Sequence, residues 1–202
     1  MSVRPVSFRF RERMQGPLAS GTDDPQTGAA RGRAAGTHFL ADLSVEIDDL
    51  ARCVDDPCHK ARLTGQATFP ALATARPIRD GSLQMYVADP VTHTKLMRYQ
   101  FAFDSDAGQS YFLEGTKFIH TPGPSAREQV TLYTRIHAGD RGGAVWGAGI
   151  LVFRLRDLPS FLLSMRAEGA SRVEGLRQFL GFARRELNSP VVAGREEMRG
   201  SA

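Results

Sequence analysis

The sequence predicts an all-β protein, an antiparallel β-barrel or β-sandwich of about nine or ten strands with a C-terminal amphipathic helix. Apolar residues fall at every second position: Phe39, Ala41, Leu43, Val45 and Ile47 alternate with Leu40, Asp42, Ser44, Glu46 and Asp48. Ala61, Leu63, Gly65, Ala67 and Phe69 repeat the pattern against Arg62, Thr64, Gln66 and Thr68. A period of two is that of a pleated strand with one face on a core and one in water. The pattern recurs between short turn-type breaks until about Leu155, and only after Ser171 does the period lengthen to that of a helix.

Val6, Phe8, Phe10, Glu12 and Met14 make the first strand, which Gly16-Pro17 stops. Residues 17–36 are rich in Gly, Ala, Ser, Thr and Asp without a period, and read as a long mobile loop. The strand from His38 to Asp48 runs into a helical turn at Asp49–Arg52. Lys60–Phe69 is the next strand and Leu72–Ile78 a weaker one, after which Asp80-Gly81 signals a hairpin. Leu83, Met85 and Val87 alternate until Asp89-Pro90. Met97, Tyr99, Phe101 and Phe103 share a face of the following strand, and its partner carries Tyr111, Leu113, Gly115, Lys117 and Ile119. Val130, Leu132, Thr134 and Ile136 give another strand, and Val145, Gly147, Gly149, Leu151, Phe153 and Leu155 the last.

A short helix fits Pro159 to Arg166. From Ser171, a suitable N-cap, Val173, Leu176, Leu180, Ala183 and Leu187 form an apolar stripe opposite Arg172, Arg177, Arg184 and Arg185. The division expected is therefore a barrel or sandwich over residues 1–170, a packed helix over 171–189 and a flexible tail over 190–202.

The chain of 202 residues suits one such domain. Its 26 basic residues face 22 acidic ones, so the net charge of +4 is thinly spread. Aromatic residues are not interleaved with the basic ones as single-strand binders require, which argues against specific nucleic-acid binding. No stretch approaches the roughly 20 apolar residues of a membrane span, and the start lacks the apolar region of a secretory signal. With only two cysteines, a reducing compartment and a cytoplasmic location are expected.

The sharpest candidates for chemistry are charges on apolar strand faces. Glu12 sits among Phe8, Phe10 and Met14, and Lys117 among Tyr111, Leu113 and Ile119. An unpaired buried charge costs several kcal/mol. The two must pair with each other, turn to solvent at a bulge, or point into a wet ligand cavity. Tyr99, Tyr111, Met97, Phe101 and Trp146 are the aromatic and methionine residues that would line such a cavity or fill a core. Cys53 and Cys58-His59 lack the further ligands of a zinc site, and His38, His93, His120 and His137 lie in different elements, so no metal is expected. The Gly-rich stretch 139–149 leads into a strand, not a helix, and reads as a hairpin and a strand bend or close backbone approach. No cofactor fingerprint, G-x-S-x-G elbow or catalytic set is present.

Six segments carry a resemblance: Phe10–Gly16, Ala61–Gly65, Met97–Phe101, Tyr111–Lys117, Val130–Tyr133 and Gly147–Leu151. Together they resemble an all-β module found beside GMC-type sterol oxidoreductases and α/β-hydrolases in bacterial multidomain proteins. The resemblance implies an accessory domain near lipid or sterol chemistry. The function expected is non-enzymatic binding of a hydrophobic small molecule, a lipid, acyl chain or sterol, with Lys117, Glu12 or Tyr111 anchoring its polar end. Two alternatives stand beside it. One is a small isomerase or cyclase using Glu12, Lys117 or His137 as acid and base, and the other an interaction module that docks a lipid- or sterol-modifying enzyme or forms a homodimer.

Overall fold

Alternation along eight strands closes them into a barrel. The computed structural model describes residues 5–169 and 172–191. Its strands are β1 (Ser7–Ser20), β2 (His38–Ile47), β3 (Lys60–Phe69), β4 (Ala73–Asp89), β5 (Thr94–Asp104), β6 (Ser110–Ile119), β7 (Thr131–Ala138) and β8 (Val145–Phe153). Each runs antiparallel to the next, and β1 pairs with both β2 and β8, so the sheet has no open edge between them. A ninth strand, β9 (Arg166–Glu168), pairs with the first residues of β1.

The inward positions fill the barrel. At one end Phe39, Phe69, Phe103, Tyr111 and Trp146 pack ring against ring, with centroids 5.8–6.1 Å apart. The other end is capped by the C-terminal helix, α5 (Arg172–Asn188), one of five among the described residues with α1 (Pro25–Ala35), α2 (Leu50–Asp55), α3 (Ala126–Val130) and α4 (Leu158–Ser164). Phe179 of α5 stacks on Phe8 at 4.5 Å, and Phe182 meets the rings of His59 and Tyr86.

Four details differ from the sequence reading. Residues 17–36 are not a loop: β1 continues to Ser20, and α1 follows. Its N-cap is Asp24, which accepts the Thr27 amide at 2.7 Å, Pro25 opens it, and Gly36 ends it in the left-handed region. α1 lacks an apolar stripe because it packs through missing side chains. A Cβ on Gly28 would lie 2.0 Å from the Ala148 carbonyl oxygen, and one on Gly32 would lie 2.5 Å from the Leu18 amide nitrogen. Asp80-Gly81 is not a hairpin either. Leu72–Ile78 and Leu83–Val87 belong to the single long β4, whose register shifts around Asp80 mark a bulge.

The stripe that α5 buries is also rotated from the expected one. Gly175, Phe179 and Phe182 face the barrel, while Val173 and Leu180 are exposed. Gly175 decides this, since a Cβ there would come within 2.3 Å of the Ala167 Cβ. β9 is the fourth difference, too short to show a period. Ser171 and residues 192–202 of the expected tail lie outside the described residues.

Lys95 ties α5 to the barrel. Its buried ammonium donates to Glu186 Oε2 at 2.8 Å, to the Glu186 carbonyl at 2.7 Å and to Ser189 Oγ at 2.7 Å. Burial alone would push the Glu186 carboxyl up, but the hydrogen bond and charge of Lys95, with Arg185, hold it below the usual value.

Two outcomes are expected. Gly28→Ala gains about 1 kcal/mol of helix propensity but loses about 1–3 kcal/mol to overpacking against Ala148, so urea denaturation finds it less stable. In the unfolded chain Glu186 titrates at its ordinary value, so its lowered value contributes stability above that pH and loses it as the pH falls through the lowered value. Glu186→Gln therefore melts below the parent near neutral pH, and the gap between their melting curves closes on acidification.

Candidate functional site

The inward alternation of β1, β5 and β6 brings Glu12, Tyr99 and Lys117 together inside the barrel. Lys117 Nζ donates to Glu12 Oε1 at 2.9 Å, and the Tyr99 hydroxyl donates to Glu12 Oε2 at 2.9 Å. The same ammonium lies 5.1 Å from the centroid of the Tyr99 ring. Of the three fates open to the misplaced charges, pairing with each other is the one observed. Burial, then the charge and hydrogen bond of Glu12, push the Tyr99 phenol well above its usual value, which keeps it a proton donor to the carboxylate. Tyr86 is pushed up to about 12, first by burial and then by the charges of Glu12 and Glu186.

The wall beside Glu12 is not closed by a strand. The β8 ladder on β1 ends at Met14 opposite Phe153, and the β9 ladder begins at Arg9 opposite Arg166. Between them α4 covers the gap. The Arg11 amide donates to Ser164 Oγ at 2.8 Å, which supplies the partner a strand would have given. The Phe161 ring plugs the opening, 5.3 Å from Phe10 and 5.5 Å from Phe153.

Over this gap, between α4 and the outer faces of β1, β2 and β3, lies an open groove of about 850 Å³. Glu12, 8% exposed, is at its floor. Arg13 in its wall is held by Asp42 at 2.6 Å, and that hydrogen bond and charge keep the guanidinium firmly protonated. Arg11, also in the wall, has no side-chain partner among the described residues, and Asp157 Oδ2 is buried without a hydrogen bond. The groove thus joins the Arg11 guanidinium and an unbonded carboxylate oxygen of Asp157 to an aromatic edge.

The other expected site residues lie apart. Tyr111 and Trp146 belong to the aromatic layer at the far end, where the Tyr111 hydroxyl donates to Gln109 Oε1 at 3.1 Å. Phe101 is buried against Phe103. Met97 is half-buried and stands opposite Lys117 in register. His137 lies on β7 between the inward-facing Thr134 and Ile136 and the strand end. Its Nδ1 meets the Gly143 carbonyl at 2.9 Å and its ring the outward Phe112, so it does not join Glu12 and Lys117. Cys53 and Cys58 are both free, and burial, with Asp56 and Asp49, pushes the Cys53 thiol up to about 11. His59 Nδ1 donates to the Cys53 carbonyl at 2.8 Å. Among the described residues no group of three or more His, Cys, Asp or Glu is placed to hold a metal.

Sequence reasoning missed Arg11, Asp157 and Phe161. Arg11 reads as one more outward strand residue, and nothing local announces the change of partner that uncovers it. The pattern Asp157, Ser160, Phe161, Ser164 does carry a helical step that marks one face of α4. In comparisons with known proteins, no family model, no curated protein and no solved structure matches the chain significantly.

Removing one partner of a buried ion pair leaves an uncompensated charge and costs about 3–5 kcal/mol, whereas removing both costs much less. Lys117→Met is expected to fall in that range by chemical denaturation. Combining Glu12→Gln with Lys117→Met is expected to recover most of it, because the introduced amide oxygen still accepts from Tyr99. Additive losses would show that the two residues do not act as a pair.

Proposed function

We propose that the chain binds a small anionic amphiphile in the groove over β1, β2, β3 and α4, and does so without chemistry. The observation that supports this most is the Arg11 guanidinium, without a side-chain partner among the described residues, lining the same space as the Phe153–Phe161 edge. The groove has the volume of a small-molecule site, about 300–1,000 Å³. An anionic head meets Arg11, with Ser44, Thr64 and Gln66 as hydrogen-bonding neighbours, and an apolar body lies along the phenyl rings. The inside of the barrel suits such a ligand less well, because Met14, Leu83, Tyr99, Phe101 and Leu113 are at most 1% exposed and fill it. Most of the groove's lining residues are polar, which favours an acyl chain with a charged head over a sterol body. Such a protein would present its cargo to a lipid- or sterol-modifying enzyme, the setting implied by the resemblance of its strand segments.

A second reading is favoured by one observation: Glu12, a carboxylate hydrogen-bonded to an ammonium and a phenol, borders the groove. In an isomerase or cyclase it would move a proton of a substrate seated there, with Lys117 and Tyr99 holding its charge.

Native mass spectrometry after expression in a lipid-rich host, followed by titration with a fluorescent acyl carboxylate, tests both readings. A bound amphiphile is expected, with a loss of affinity of about tenfold or more in Arg11→Glu, which removes one charge contact and sets a like charge against the head, and no such loss in Tyr111→Phe. Equal binding by Arg11→Glu, or no binding at all, overturns the groove reading. A ligand recovered chemically altered from the parent protein and unaltered from Glu12→Gln transfers the groove to the enzyme reading.

A further inference from the structure

α4 is amphipathic the wrong way round for a helix that merely covers a barrel. Its inner face is Asp157, Ser160, Phe161 and Ser164, of which only Phe161 is apolar. Its outer face, with the 3₁₀ turn Leu155–Asp157 that leads into it, carries Leu155, Leu158, Leu162 and Leu163, exposed by 69%, 40%, 48% and 68%. Of the eight large apolar residues exposed among the described ones, six lie between Leu155 and Leu180. A single exposed leucine needs no explanation, but a run of them at helical spacing marks a surface that meets something apolar.

The charges around this run say what. Arg154 and Arg156 flank Leu155 at the start, and Arg166 follows Leu163 at the end, where its guanidinium donates to the Leu163 and Met165 carbonyls. Arg156 is 3.9 Å from Asp157, a loose contact. Phe10 of β1 meets Phe161 of α4 and Phe179 of α5, and Val173 and Leu180 of α5 are exposed as well. A twofold pair of chains meeting through this face would bring the same basic patch of each copy together. A lipid surface with anionic headgroups instead offers acyl chains to the leucines and a partner to each guanidinium. We propose that the α4 face docks the barrel on an anionic lipid surface. This does not rest on what the groove holds, although α4 is also the groove's wall.

Co-sedimentation with vesicles tests the proposal, using phosphatidylcholine alone and phosphatidylcholine mixed with phosphatidylglycerol. The protein is expected to sediment with the mixed vesicles, to bind pure phosphatidylcholine weakly and to lose binding as salt rises. Leu162→Ser with Leu163→Ser is expected to weaken binding about tenfold or more, from the apolar area no longer buried. Because both leucines are exposed, this variant should melt with the parent, and Leu163→Ser alone gives a milder second variant. Equal sedimentation of the parent and the double variant overturns the proposal, as does failure of the parent to sediment. If the parent fails but forms a dimer by analytical ultracentrifugation that the leucine variant abolishes, the face belongs to a second copy of the chain.

Discussion

Everything distinctive in this molecule follows from the demand placed on β1. Its pairing with β2 and β8 closes the barrel, yet β8 stops at Phe153 and β9 starts only at Arg166. Backbone amides left without partners in a wall are costly, so the stretch between the two ladders needs a substitute. α4 supplies it with the Ser164 hydroxyl for the Arg11 amide and with Phe161 as a plug. A gap bridged by a helix rather than a strand cannot be flush. The groove is the space left over, and Glu12 comes near the surface there because it lies on the unbridged stretch.

The interior pair answers to the same region. In water-excluded surroundings a carboxylate and an ammonium survive only when their remaining hydrogen-bonding capacity is met. Lys117 meets one oxygen of Glu12 and Tyr99 the other, while the ring of Tyr99 faces the ammonium. Three strands far apart in sequence must therefore keep a common register, because a slip of one residue would turn each group outward. Such a pair adds little net stability compared with apolar residues of the same size. Its geometry is met only when β1, β5 and β6 hold this one register.

How far the sequence discloses this depends on the kind of information involved. The all-β class, Glu12 and Lys117 as misplaced charges, and Tyr99 as an inward residue are all legible, because strand alternation is strictly local, whereas the choice between barrel and sandwich is not. A strand bend or close backbone approach in the Gly-rich stretch was legible too, but not that the approach is to β1, where a Cβ on Gly147 or Gly149 would strike the Ala19 or Pro17 carbonyl oxygen. α1 was concealed because a helix that packs through Gly28 and Gly32 has no apolar period, although its caps, Asp24-Pro25 and Gly36, were in view. The buried stripe of α5 was ambiguous, since two stripes fit a helical step and only the contact of Gly175 with Ala167 selects between them. The groove was not legible at all. It depends on where two ladders end in register, which is a property of pairing rather than of any one segment.

α4 connects these parts. A helix of seven residues is too short to be stable by itself, so its inner face is held by what it covers: Ser164 on a backbone amide and Phe161 against two phenyl rings. Those contacts use few residues, and they leave the outer face free of any structural duty toward the barrel. Four leucines on a face with no such duty are a recurring cost in solubility, one that a charged helix would avoid. The same segment that repairs the barrel wall thus sets one wall of the groove and presents apolar surface away from it. The gap in the barrel wall, the buried carboxylate of Glu12 beside it and the exposed leucines thus meet at one short helix, the first two on its inner side and the last on its outer side.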